Sequence, residues 1–405
     1  MNLTQALRYR PFALLWSGQT ISRFGDSLYL IALMWWVVEK TGSASVAGNV
    51  SFFTILPMVI FLLVGGVAAD RLPRVRVMIA SDWARAALVG LIALLVATDR
   101  LEIWHIYAVS LLFGFVDAFF QPAYSALVPE VTPVQYLASA NALTSLSRTL
   151  SGIVGPAVGA ALVKLGGTPT AFALNALSFV VAGACLIPIR RLGEDKPKRD
   201  DVAARGPLSD LREGLRVVFA DPWLWISIFY FTILSITLFS PITISLPFLV
   251  ERDLKADVDA LGLLTAISSF GSIVAAVLLG RVARLRRRGL LLYGMVILGS
   301  LGLMLVGLSG TLFGAALGLF VYGAMISGMI LVWLNTMQER VPGELLGRVS
   351  SVDWFGSLLL LPIGYALTGI LTDRIGASAI FVGGGAISAG LCLLILLVPA
   401  IRKLD

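Results

Sequence analysis

The stretch Gly65-Gly66-Val67-Ala68-Ala69-Asp70-Arg71-Leu72-Pro73-Arg74-Val75-Arg76 decides how the rest of this chain is read. An apolar run ends there at a carboxylate, and arginines 71, 74 and 76 follow. About 20 mostly apolar residues suffice to cross roughly 30 Å of hydrocarbon, and basic residues collect in the loops on the cytoplasmic side. The stretch therefore reads as the inner end of a membrane-spanning helix running into a basic loop. Gly66 is expected to let a neighbouring helix approach closely. Asp70 is placed to cap the N-terminus of another helix.

Working outward from this span gives twelve such runs, at roughly 12–37, 46–69, 77–97, 104–128, 138–163, 170–189, 223–250, 260–280, 289–309, 312–337, 349–372 and 378–400. Strand alternation is absent, and runs of this length suit helices rather than a barrel. The one long polar stretch, 190–221, divides the spans six and six. The expected fold is an all-α polytopic membrane protein of twelve transmembrane helices in two six-helix bundles. Residues 1–189 form the first bundle, 190–222 a cytoplasmic linker and 223–405 the second bundle. Within the linker, Leu208, Leu211, Leu215, Val218 and Phe219 recur at helical spacing, which predicts an amphipathic helix along the membrane surface.

Composition points the same way. Of 405 residues, 58% are apolar and 14% charged, against about 45–50% and about 25% in a soluble protein. That excludes a soluble enzyme and a disordered chain. Cys185 and Cys392 lie in apolar runs and give neither a disulfide framework nor a metal spacing. His105, the one histidine, cannot build a zinc site or a nucleophile–His pair, so no cofactor and no enzyme activity are expected. The opening residues, with polar Asn2, Thr4, Gln5 and Arg8, do not read as a signal peptide. With both termini cytoplasmic, 22 of the 31 Lys and Arg fall in inner segments, 6 in outer loops and 3 inside spans. This bias sets the orientation and accounts for the +7 charge without a nucleic-acid partner.

Charges left inside spans are expensive and therefore functional candidates. Arg23 and Asp26 fall near the middle of the first span, Asp117 near that of the fourth and Arg148 near that of the fifth. One reading makes Asp26 or Asp117 a proton carrier whose proton affinity is tuned by Arg23 or Arg148. The other makes Arg23–Asp26 and Asp117–Arg148 permanent ion pairs that lock the first bundle. Asp82 and Arg85, also three apart, read as a structural pair near the basic loop. Trp35 and Trp36 read as interfacial anchors, and His105 as an interfacial residue.

The loop at Gly66–Asp70–Arg71 resembles the signature loop of the major facilitator superfamily, with Pro73 where the family usually has glycine. Its counterpart, Gly280-Arg281-Val282-Ala283-Arg284-Leu285-Arg286-Arg287-Arg288, keeps the charges and lacks the aspartate, as a degenerate internal repeat does. The run Ser151-Gly152-Ile153-Val154-Gly155-Pro156-Ala157-Val158-Gly159-Ala160 is similar to the glycine-proline motif of exporters in that superfamily. Ser151 and Ala160 stand where glycine is usual. Further stretches are similar to the macrolide-efflux branch of drug:proton antiporters and to enterobactin exporters. They are Trp16-Ser17-Gly18-Gln19, Phe24-Gly25-Asp26-Ser27, Gln121-Pro122-Ala123, Gln338-Glu339-Arg340-Val341-Pro342 and Gly347-Arg348-Val349.

The resemblance implies a secondary active transporter of the inner (plasma) membrane. It would be a monomer that exports amphiphilic small molecules by proton antiport and alternating access. A lysophospholipid transporter and a siderophore exporter are the alternatives within the superfamily. The resemblance also implies that Asp26 and Asp117 see a central cavity, and that Gly152, Gly155, Pro156 and Gly159 form a hinge. Asp70, Arg71, Arg74, Arg348 and Asp353 are implied as an inner gate, with Glu130 a further partner for Arg74. Tyr230, Phe239, Trp333, Asn335, Gln338 and Trp354 are offered as a substrate-cavity wall, with Phe231, Tyr322 and Phe355 beside them. Ser110 occupies the position where many proton-driven relatives carry an arginine.

Overall fold

A computed structural model describes residues 4–191, 207–282 and 286–404. Among them there is no strand. The first half holds α1 (Arg10–Thr41), α2 (Ala44–Arg71), α3 (Arg74–Ala97), α4 (Ile103–Glu130) and α5 (Leu137–Leu186). The second half holds α6 (Pro207–Ala220), α7 (Pro222–Leu234), α8 (Ser240–Phe248), α9 (Val258–Gly280), α10 (Arg288–Leu308) and α11 (Leu312–Arg340). It continues through α12 (Gly343–Leu359), α13 (Leu361–Ile375), α14 (Ala377–Ile395) and the short α15 (Pro399–Arg402). Helices are what hydrocarbon demands, because each backbone N–H finds its acceptor within the same segment.

Eleven stretches among the described residues are long and apolar enough to cross a membrane. One of them, Val134–Ile189, has 56 residues. As a straight helix it would measure about 84 Å at 1.5 Å per residue, nearly three hydrocarbon thicknesses. Gly167 breaks it with φ 73° and ψ 170°, a backbone that glycine adopts without a Cβ clash, and Pro169 follows. The stretch thus supplies two spans, which makes twelve among the described residues. Two other spans are composite. Pro222–Asp253 joins α7 and α8 through a π-helical turn, Ser235–Phe239. Leu345–Ile375 is interrupted at Leu360, where Pro362 cannot continue the hydrogen-bond ladder. Large apolar side chains such as Ile60, Leu94, Phe229, Phe270 and Leu278 remain uncovered by protein. In water so extensive an apolar surface would aggregate, which fits helices long and apolar enough to cross a membrane.

The described residues sort into two compact units. The first lies within Met1–Thr41, Asn49–Lys198 and Leu261–Ala266, the second within Gly42–Gly48, Arg199–Ala260 and Ile267–Asp405. In the first unit α1 and α3 both pack on α5, and α3 packs on α4. Phe12, Leu15, Met78, Phe120, Leu127 and Leu186 form part of its buried core. Lipid tails are as apolar as leucine, so close approach of small residues replaces the hydrophobic effect as the packing force. Gly155 shows this: a Cβ there would collide with the side chain of Ser27, so the α5 backbone itself is the surface that α1 packs on.

In the second unit α10 packs on α11 and α14, and hydroxyls bond across helices. Thr237 Oγ1 and Ser388 Oγ lie 2.6 Å apart, and Ser227 Oγ and Tyr293 Oη 2.8 Å. The linker residues 192–206 lie outside the described residues. The predicted amphipathic helix is α6, and it packs against α12, with Gly214 on the backbone of Arg348.

Candidate functional site

The first unit gathers five ionisable side chains from three helices. On α3, Asp82 and Arg85 stand one turn apart and face inward, because α3 is enclosed by α4 and α5. Asp82 is fully buried and Arg85 is 2% exposed. Arg85 Nη2 donates to Asp82 Oδ1 at 2.7 Å. The second Asp82 oxygen, Oδ2, accepts from Gln19 Nε2 of α1 at 3.1 Å. Arg85 Nη1 lies 3.6 Å from Asp117 Oδ1 on α4. The guanidinium is flanked by Phe120, 3.7 Å from the ring centroid, and by Phe179 of α5, 4.7 Å away.

Asp26 of α1 is half-buried and feels the charge of Arg85 most, then those of Asp117, Asp82 and Arg23. Arg23 stands over Tyr124 at 5.3 Å. Two guanidinium groups therefore face three carboxylates. With every group ionised the set would carry one negative charge in excess, in surroundings where an uncompensated charge is costly.

Of the two readings of the sequence, the one with permanent Asp117–Arg148 and Arg23–Asp26 ion pairs is corrected by the structure. The cation on Asp117 is Arg85, whereas Arg148 is exposed on α5. No ion pair joins Arg23 to Asp26 among the described residues; Arg23 lies over an aromatic ring. Arg85 was read as a structural partner of Asp82 alone. Its spacing from Asp82 is visible in the sequence, but nothing there points across to α4.

The signature-loop residues divide. The side chain of Asp70 lies outside the described residues. Arg71 is exposed. Arg74 Nη1 bonds Glu130 Oε2 at 2.8 Å. In the second unit Arg348 pairs with Glu213 of α6 at 2.8 Å. Asp353, 8% exposed, accepts the indole N–H of Trp333 at 3.1 Å, and its Oδ1 is buried without a hydrogen-bond partner. Arg348 and Asp353 are thus each engaged within the second unit, by Glu213 and Trp333. The close-packing glycine is also not Gly66, where a Cβ would meet nothing. It is Gly65, where a Cβ would collide with the Ala118 carbonyl of α4.

Of the hinge residues, Gly155 and Gly159 receive α1 at Ser27 and Leu28, and Pro156 is buried beside them. Gly152 lies on the same helix. The expected cavity wall separates into two groups. Tyr230 is buried and donates to the Ser388 carbonyl at 2.8 Å. Trp333 is buried against Trp223 and Phe231, 5.7 and 4.9 Å between ring centroids. Both are core residues, which removes them from the wall. Phe239 is half-buried, while Asn335, Gln338 and Trp354 are exposed. Trp35 and Trp36 are buried, so they are core residues and not interfacial anchors. His105 accepts the Glu102 N–H at 3.1 Å and closes the N-terminal cap of α4.

A contact that the sequence did not announce lies in the second unit. Asp373 of α13 accepts the backbone N–H of Ala44 at 2.8 Å and of Ser45 at 2.9 Å, and the Ser43 and Ser45 hydroxyls at 2.8 and 2.7 Å. It caps α2 from a distant part of the chain.

Twelve spans and a charged cluster inside one helical unit define a polytopic membrane transporter. The family model described as Major Facilitator Superfamily matches residues 15–360 and 242–403, and the chain belongs to that family. It is 27% identical over 402 residues to macrolide efflux protein A of Streptococcus pyogenes, with 97% of each chain covered. It is likewise 27% identical over 409 residues to the multidrug efflux pump Tap of Mycolicibacterium fortuitum, covering 98% of this chain and 97% of that one. With the enterobactin exporter EntS of Shigella flexneri it shares 27% over 415 residues, covering 99% and 95%.

Among solved structures, a POT family transporter superposes with TM-score 0.72 at 13% identity over 97% of both chains. A bacterial homologue of the iron transporter ferroportin gives 0.73 at 14% identity, over 95% of this chain and 98% of that one. These two likenesses concern the fold.

Proposed function

We propose that this protein is a proton-driven antiporter that exports amphiphilic small molecules of the macrolide or multidrug kind by alternating access. It works as a monomer in the inner (plasma) membrane, with both termini cytoplasmic, without a cofactor and without enzymatic activity. The observation that carries this reading is the cluster of Arg23, Asp26, Asp82, Arg85 and Asp117, centred on buried Asp82 and Arg85, in a chain similar along its length to named efflux proteins. A set with three carboxylates and two guanidinium groups is balanced when it holds one proton. Asp82 is locked by two partners, so the exchangeable position falls to Asp26 or Asp117. A proton taken from the outer side and released to the cytoplasm would accompany each exported molecule.

On this reading Gly155 and Pro156 let α5 bend against α1. Arg74 and Arg348 remain gate residues, with Glu130 and Glu213 as their acids. Asn335, Gln338 and Trp354 stay as substrate-facing candidates. The test is a proteoliposome assay with an imposed proton gradient, run with a labelled macrolide, enterobactin and a fluorescent lysolipid. Gradient-dependent accumulation of the macrolide supports the reading. Likeness to the enterobactin exporter favours a siderophore as second cargo, and movement of enterobactin alone would replace the drug assignment. Movement of lysolipid alone would select the lipid alternative, and dependence on added ATP would refute secondary transport.

A further inference from the structure

Arg85 has two unequal arms. Its Nη2 is 2.7 Å from Asp82, a charge-assisted hydrogen bond, whereas Nη1 is 3.6 Å from Asp117, beyond hydrogen-bond reach. The carboxylates are unequal as well. Asp82 has no exposed surface and is held again by Gln19, while the Asp117 side chain keeps 21% of its surface open. The rings of Phe120 and Phe179 attract the cation without directing it to either acid. Its Nε is buried and has no hydrogen-bond partner, so no third contact fixes the group. The other charges on this set are Arg23 and Asp26, both on α1. Ser110, in the α4 position where an arginine was expected from resemblance, carries no charge.

We infer that Arg85 is the positioning residue for proton coupling, anchored on Asp82 and exchanging its second arm with the proton on Asp117. This inference rests on the proton-antiport reading above. When Asp117 is charged, Nη1 leans toward it. When a proton from the outer water binds an Asp117 oxygen, that attraction falls and Arg85 settles on Asp82 alone. Release of the proton to cytoplasmic water restores the second arm. The loop closes with no net change in the protein, and one proton has crossed. Asp82 serves as the fixed tether that keeps a cation within reach of α4.

The test uses the double variant Asp82→Asn/Arg85→Gln in the full-length protein. It removes both charges together, so neither is stranded, and the new amides can still bond each other and Gln19. Two readouts are taken in proteoliposomes with a radiolabelled macrolide: counterflow without a proton gradient, and accumulation driven by an imposed gradient. The expected result is a ratio of gradient-driven accumulation to counterflow that falls at least about tenfold from its wild-type value. A purely structural pair would leave the two readouts in their wild-type ratio, and that result would overturn the inference while leaving proton antiport intact. Should the double variant fail to fold, Arg85→Lys serves instead, since a single ammonium replaces the planar fork whose two nitrogens face Asp82 and Asp117 separately. Wild-type coupling by that variant overturns the assignment equally. Gradient-independent transport by the wild type, or no transport of the macrolide, enterobactin or lysolipid, defeats the antiport reading and this inference with it.

Discussion

Asp373 holds Ser45 twice over, since Oδ2 accepts both the backbone N–H at 2.9 Å and the hydroxyl at 2.7 Å, while Oδ1 takes the neighbouring N–H of Ala44. The first backbone donors of a helix have no partner in their own helix, and a carboxylate there also answers the positive end of the helix dipole. Loss of a side-chain cap typically costs about 1 kcal/mol. Asp373→Ala is therefore expected to lower the unfolding midpoint of the detergent-solubilised protein, followed by tryptophan fluorescence on heating. Asp373→Asn keeps one acceptor and should fall between the two. An unchanged midpoint in the alanine variant would show that α2 is ordered without this cap.

The two glycines of the loop stretch provide a matched pair. Gly65 meets the Ala118 carbonyl, whereas Gly66 faces open space. Gly65→Ala should force α2 away from α4 and reduce the folded yield, since overpacking costs about 1–3 kcal/mol. Gly66→Ala should leave yield and midpoint at wild-type values. Size-exclusion profiles of the two variants side by side decide this, and equal profiles would mean that α2 and α4 can shift to make room.

For the carboxylates, Asp117→Asn is expected to reduce gradient-driven transport about a hundredfold while substrate binding stays measurable. Full antiport by this variant would remove Asp117 as carrier and leave Asp26. The same assay on Asp26→Asn separates the candidates, because the carrier's variant loses coupling and the other residue's variant loses only rate.

At α5, Gly155→Val places a branched side chain against Ser27 of α1. Export of the macrolide from intact cells should fall sharply for this variant and for Pro156→Ala. If both variants export at the wild-type rate, α5 does not act as a hinge. Surface expression measured alongside distinguishes a lost hinge from a lost protein.

At the second unit's linker contact, Arg348→Glu should weaken the docking of α6 on α12, and the swap Glu213→Arg/Arg348→Glu should restore it. The pair is partly exposed and such pairs are worth about 0–1 kcal/mol, so proteolysis of the 190–222 region is a more sensitive measure than thermal unfolding. Equal cleavage in all three proteins would show that apolar packing, including buried Val218, holds α6 in place.

The sequence by itself determined the membrane spans, the helix α6, the family and the Asp82–Arg85 pair. Each depends on local rules: hydrocarbon thickness sets span length, backbone satisfaction forces helices, and a three-residue spacing puts two side chains on one face. Only the tertiary structure decided that Arg85 reaches Asp117, that Tyr230 and Trp333 are core, that Gly65 rather than Gly66 packs tightly and that Asp373 caps α2. The reason is the solvent. A helix in water shows its buried face as an apolar stripe, but a helix in lipid is apolar on every side, so its pattern does not say which face meets protein. That choice rests on where small residues allow backbones to meet, and on which helix brings a partner to a buried charge.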